Sequence, residues 1–231
     1  MIDAVFVPRG AEERAVRAGL RRRGLPRRSP GAGVAVYSTG IGSSSAIAAA
    51  EAVIASGVPR RVLVTGLCGS LDERFRPGDA LLYASIEDSD GIPLATDKDL
   101  TEAVQRAVPW ALSGIRALSV ERVVTKASER RALAQRGGCH AVDMESLPLL
   151  ARMHRAGASV AILRVVSDGV DDDLPDLNSA IDAAGNLDGK ALARACLVSP
   201  LAALRMTLGA TAGLRALRSS LRALSVSPRN P

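Results

Sequence analysis

A chain of 231 residues, 47% of them apolar, is long enough to bury one substantial core and too apolar to be a disordered segment. Its net charge of +6 belongs to the tail: from Asn186 onward seven Lys/Arg stand against Asp188 alone, while the first 185 residues carry 23 of each sign. With five aromatics (Phe6, Tyr37, Phe75, Tyr83, Trp110) and no basic face with interleaved rings, this balance argues against nucleic acid as a partner. Cys68, Cys139 and Cys196 form no CxxC pair, and no signal peptide or unbroken apolar run of about 18 residues is present. The sequence therefore predicts a reduced, cytoplasmic protein that does not span a membrane. His140 and His154 lack metal-ligand company, so neither a metal nor an organic cofactor is expected.

In chain order, Ile2–Val7 reads as a first strand, broken by Pro8-Arg9-Gly10, and Ala11–Arg23 as a helix. The arginines at 21–23 and 27–28 read as a solvated loop. Val34–Tyr37 is a second strand. It leads into Thr39-Gly40-Ile41-Gly42-Ser43-Ser44-Ser45, a loop feeding the alanine-rich helix Ala46–Ser56. Such glycines let backbone approach a ligand closely, and the helix N-terminus offers free N–H groups. The loop is neither the dinucleotide fingerprint, since Ser45 stands where the third glycine belongs, nor a P-loop, since it lacks the Gly-Lys-Ser/Thr end.

Val62–Thr65 is a third strand, ending in Gly66-Leu67-Cys68-Gly69-Ser70. After the turn Arg76-Pro77-Gly78-Asp79, Ala80–Ile86 reads as a strand, Leu100–Ala111 as a helix, Ile115–Val124 as a strand and Ser128–Arg136 as a short helix. The stretch Ala141–Asp168 then holds an acidic pair, Asp143 and Glu145, around Met144. A periodic helix (Leu147, Leu149, Leu150, Met153) ends at Gly157, and a branched strand, Val160–Val166, stops at Ser167-Asp168. A carboxylate thus stands at each end of one helix–strand unit, and in open α/β sheets strand ends are where ligands bind. Asp171-Asp172-Asp173 begins a polar region, with Pro175 and Gly185, long enough for a lid or a disordered loop. Beyond Pro200 the tail reads as two helical pieces. In the second, Leu214, Leu217, Leu221 and Leu224 share one face beside Arg215, Arg218 and Arg222, and such a face docks on the protein's own body or on a membrane or partner. Strands alternating with helices and no separating linker predict one α/β domain over 1–231, with a basic, helical extension at 186–231.

Taken in order, Gly40-Ile41-Gly42, Gly66-Leu67-Cys68-Gly69 with Gly78-Asp79, Met144-Glu145, and Arg164 with Ser167-Asp168 resemble the nucleoside phosphorylase/nucleosidase superfamily, over residues 1 to about 175. The resemblance implies a three-layer α/β/α fold on a central mixed twisted sheet, a homo-oligomer, and cleavage of the N-glycosidic bond of a purine nucleoside. That cleavage builds positive charge on the sugar while the base leaves, so it suits a carboxylate against the ribose and a general acid near N7 of the purine. On the family pattern Asp168 is that acid, with Arg164 and Ser167 beside it. Glu145 is the ribose carboxylate, Met144 packs against the sugar, and Cys68 and Gly69 border the substrate.

The nucleophile has two readings in Pro8–Arg14, phosphorolysis being the leading expectation and hydrolysis the alternative. Gly10 and Arg14 match a phosphate-binding Gly-x-x-x-Arg, which makes inorganic phosphate a co-substrate and the reaction phosphorolysis; Glu12 matches a base that activates water in hydrolytic methylthioadenosine/adenosylhomocysteine nucleosidases. Val64 and Leu67 stand where many phosphorylases carry an arginine and a serine for phosphate. The tail further resembles the hopanoid-associated phosphorylase branch, which implies an adenine-bearing nucleoside lipid as substrate and a peripheral membrane contact. A non-catalytic nucleoside-binding module is the alternative from another class. A serine esterase is a poor third reading, since the Gly-x-Ser-x-Gly elbow is missing and His140 or His154 would have to serve as base.

Overall fold

The structure, a computed structural model, describes residues 2–21 and 34–226, so most of the arginine-rich stretch (Arg22, Arg23, Arg27, Arg28) lies outside the described residues. Among those residues the organising strand is β3 (Arg61–Ser70). It pairs in parallel with β1 (Ala4–Pro8), which pairs in parallel with β2 (Ala35–Thr39). Along Arg61–Gly69 it runs parallel to β8 (Ser159–Asp168). β8 then pairs antiparallel with β4 (Ala80–Glu87), which carries the short antiparallel β5 (Pro93–Ala95) and the parallel β6 (Leu112–Ser119). β6 pairs in parallel with β7 (Ala141–Asp143), and β7 returns antiparallel onto Gly69 and Ser70 at the end of β3. The mixed sheet therefore curls until β3, β8, β4, β6 and β7 meet. Gly69 pairs with Val142 on one side and, across a bulge, with Asp168 on the other. Both acid-bearing segments thus converge on one strand end.

Helices cover both faces, which makes three layers. On one face, α2 (Ser43–Ser56) buries Ala46, Ala50 and Val53, and α5 (Ser146–Arg155) buries Leu149, Leu150 and Met153, each set at helical spacing. On the other, α1 (Ala11–Leu20) supplies Val16, α3 (Lys98–Ala107) Leu100 and Val104, and α7 (Pro200–Val226) Leu217 and Leu221. The branched run of β8 is buried from Val160 to Val166, as befits a strand covered on both faces. α4 (Ala127–Gly137) and α6 (Gly189–Val198) supply Arg130 and Leu192 to the cavity described below.

Several elements depart from the sequence expectation. β3 continues past Thr65 through the glycines, because Gly66 and Gly69 still pair with β8. β6 ends at Ser119 rather than Val124; the chain leaves the sheet there and Val123 faces the cavity described below. The polar region from Asp171 is folded: Leu174 N–H donates to Thr125 O at 2.8 Å, and the Asn178 amide grips both polar backbone atoms of Val123 at 2.9 Å. The tail beyond Pro200 is one helix of 27 residues, where the sequence predicts two pieces. Proline at a helix start has no N–H to forfeit, so Pro200 initiates the helix. Gly209 is a point of closest approach, where any Cβ would collide with the carbonyl oxygen of Ser167. The leucine face at 214–224 docks on the body, with Leu217 and Leu221 fully buried.

Candidate active site

A cavity of about 500 Å³ opens where β3, β7 and β8 end, and four carboxylates line it: Glu12, Asp143, Glu145 and Asp168. Glu12 lies in the first turn of α1, and its Oε2 accepts the Leu67 N–H at 2.7 Å. Gly66 makes that approach possible. Its φ is +148°, and a Cβ there would lie 2.5 Å from Glu12 Oε2 and 2.7 Å from Arg164 Nη1. Burial pushes the Glu12 carboxyl up from the ordinary glutamate range to about 7, against the opposing pull of Arg164 and of the Leu67 N–H.

Glu145 stands between β7 and α5. Its Oε1 accepts the Gly42 N–H at 2.9 Å, and its Oε2 meets Arg164 Nη2 at 3.2 Å. Gly42 thus delivers what the glycine–serine loop promised, a free backbone donor at the start of α2, though to a side chain rather than directly to a ligand. Asp143 Oδ1 accepts the N–H groups of Glu145 and Ser146 at 3.1 and 2.8 Å, capping α5 and fixing Glu145 in place. Burial raises the Glu145 carboxyl as well, with Arg164 opposing and Asp143 adding to the rise.

Asp168 closes β8. Ser167 Oγ donates to its Oδ1, and Arg130 Nη2 lies 2.7 Å from its Oδ2. All three nitrogens of Arg130 are engaged: Nε and Nη2 also donate to Val124 O, and Nη1 to Gly169 O at 2.6 Å. Burial raises the Asp168 carboxyl, Arg130 opposes most strongly, and the Ser167 hydroxyl follows. Cys68, also in the wall, is held a neutral thiol by burial and is no nucleophile in this setting.

Of the residues predicted from sequence, the structure brings Glu12, Cys68, Gly69, Met144, Glu145, Ser167 and Asp168 together in the cavity wall. Arg164 lies behind it, wholly buried, and serves Glu145 and Asp143 rather than Asp168; its other donors go to Ser146 Oγ and Leu67 O. Gly10 caps α1 and Arg14 is exposed on that helix, and neither lines the cavity. Sequence reasoning missed Arg130, the partner of Asp168, and Asp143, which it noted only as a neighbouring acid. Arg130 sits beside Arg131 in a polar helix, and nothing in the sequence separates the buried arginine from the exposed one. The apolar remainder of the wall, including Leu174, Ile181, Leu187, Leu192 and Leu214, comes from the folded polar region and the tail helices. No cluster of metal-ligating side chains occurs among the described residues.

This architecture can be compared with known proteins. A sequence model described as Phosphorylase superfamily matches residues 21–199. The chain belongs to the phosphorylase superfamily. Among solved structures it is similar to futalosine hydrolase of Helicobacter pylori strain 26695, with a TM-score of 0.70, 16% identity, and 96% of this chain and 95% of that chain covered. It is similar also to the 5′-methylthioadenosine/S-adenosylhomocysteine nucleosidase of Helicobacter pylori, with a TM-score of 0.65, 17% identity, and 94% and 96% covered. The corresponding nucleosidase from Neisseria meningitidis, in complex with methylthio-immucillin-A, gives a TM-score of 0.65, 19% identity, and 95% and 97% covered. At these identities the likeness is one of fold. A search of curated protein sequences finds no match.

Proposed function

We propose that this protein cleaves the N-glycosidic bond of a purine nucleoside, with water as nucleophile and Glu12 as the base that activates it. The observation that carries this reading is the position of Glu12, a cavity carboxylate poised at about 7, while Gly10 and Arg14 stand outside the cavity. A general base works best with a pKa near the operating pH. With Glu12 Oε2 engaged by Leu67, Oε1 takes the proton of a water that attacks C1′. The C1′–N9 bond breaks, its electron pair leaves with the base, and Asp168 delivers a proton to N7. Glu145, anchored at both oxygens, holds the ribose hydroxyls and places negative charge beside the cationic sugar of the transition state. The names of the structural relatives, which include a methylthioadenosine nucleosidase and a futalosine hydrolase, support a hydrolytic reaction on a nucleoside. The leucine-lined outer wall suits a nucleoside with an apolar 5′ substituent.

Phosphorolysis, which the Gly10–Arg14 spacing favours, requires an anion site, and neither residue lines the cavity. Product analysis decides between the two. Free pentose should appear from a purine nucleoside at the same rate with and without inorganic phosphate. Pentose 1-phosphate, formed only when phosphate is added, would overturn the hydrolytic reading.

A further inference from the structure

The segment 189–208 is the least satisfied part of the molecule. α6 buries none of its ten residues, and in α7 the first buried residue is Gly209. Yet this segment is apolar, and five of its large side chains are exposed: Leu197 is 82% exposed, Val198 78%, Leu201 73%, Leu208 63% and Leu204 57%. Five such side chains fall within twelve residues across one helix–helix junction, exposed apolar surface of the kind that marks an interaction site. It is distinct from the Leu217–Leu221 face, which the core already covers.

Charge selects the occupant. From Gly189 to Val226 there is no Asp or Glu, whereas Lys190, Arg194 and Arg205 stand among the exposed apolar residues. Asp188, the nearest acid in sequence, is spent capping α6, where it accepts the Lys190 N–H at 2.8 Å. Pairing with a second copy through a two-fold axis would set the same cations against each other with no acid to answer them. An amphipathic surface of leucine and valine edged only by cations matches an anionic lipid bilayer, into whose interface such helices settle. No described helix is long and apolar enough to cross a membrane, so the contact is peripheral.

We propose that the α6–α7 junction is a docking surface for an anionic lipid bilayer. The same two helices line the cavity through Leu192, Met206 and Ala210, so the docked face is the outer side of the cavity wall. Docking therefore brings the cavity close to the lipid. The inference stands on the surface alone and does not require the catalytic reading.

The test is co-sedimentation of the full chain with vesicles of phosphatidylcholine alone, or of phosphatidylcholine with phosphatidylglycerol. Partition into the phosphatidylglycerol vesicles should exceed that into the neutral ones by about tenfold or more and weaken as salt is added. The double variant Leu197→Glu, Leu201→Glu should fall to the neutral-vesicle level. Its turnover of a water-soluble nucleoside should match the wild type, since neither residue lines the cavity. Equal partition into both vesicle types, or full binding by the double variant, overturns the proposal. So does a dimer in light scattering that the double variant dissolves while wild type ignores vesicles, an outcome that assigns the surface to a second copy. Absence of nucleoside turnover in both proteins would sink the catalytic reading and leave the lipid result standing.

Discussion

Around Arg164, three carboxylates face one guanidinium: Asp143 at 3.5 Å, Glu145 at 3.2 Å, and Glu12 across Gly66. A buried site cannot keep three anions against one cation, so one acid must hold its proton to higher pH. Glu12 has no ion-pair contact of its own and is the acid pushed up to about 7. Because the base form is the active one, kcat/KM should rise with pH through about 7. Glu12→Gln should remove that rise and lower kcat by about 100-fold or more; a variant that keeps the rise would show that another group titrates. Arg130 acts on the other limb. Its cation draws the Asp168 carboxyl down, so Arg130→Met should let Asp168 hold its proton to higher pH and move the descending limb of kcat upward in pH. Arg130→Lys should move it less. A loss of kcat with an unmoved limb would reduce Arg130 to a structural strut. Glu12 was legible through the family resemblance, which places a base just after the first strand, but Arg130 was not, since its burial depends on where α4 lands.

At the scale of elements, α7 and β8 form the decisive pair. Gly209 lets the helix backbone rest on Ser167, the residue beside the proposed acid. Leu217 and Leu221 then anchor the same helix in the core shared with Val5, Leu63 and Leu163. Leu217→Ala should cost about 2–5 kcal/mol, read from urea midpoints at constant slope. A change under about 1 kcal/mol would show that α7 is an appendage after all. The leucine spacing in the tail was readable as an amphipathic face, but which of its two candidate partners it meets was not. Burying two leucines on the protein's own sheet resolves that choice for residues 214–224 and leaves the Leu197–Leu208 surface without a cover.

For the molecule as a whole, raised carboxyls link folding to pH. Glu12 binds its proton up to about 7 in the folded state, against 4.5 in the unfolded chain. Between those values the folded state holds more protons, so stability falls as pH rises through this window. The contribution amounts to about 3 kcal/mol at most. Glu12→Gln, which stays neutral, should therefore gain stability over wild type between pH 5 and pH 8, measured by urea unfolding at both. A constant difference would mean that Glu12 titrates normally.

Strand and helix periodicity, the acids at both ends of one helix–strand unit, and the ordered glycine motifs were properties of the sequence alone. They sufficed for the α/β class, because each is a local pattern with a local physical cause, and, through the family they resemble, for seven of the residues that line the cavity. Only the tertiary structure decided the rest. It paired Arg164 with Glu145 rather than Asp168, gave Asp168 to Arg130, kept Arg14 out of the cavity and brought Glu12 into it. These are choices among side chains of the same type, separated by up to tens of residues along the chain. They are made by the curl of the sheet, which brings the ends of β3, β7 and β8 to one point, and no local pattern in the sequence encodes that curl.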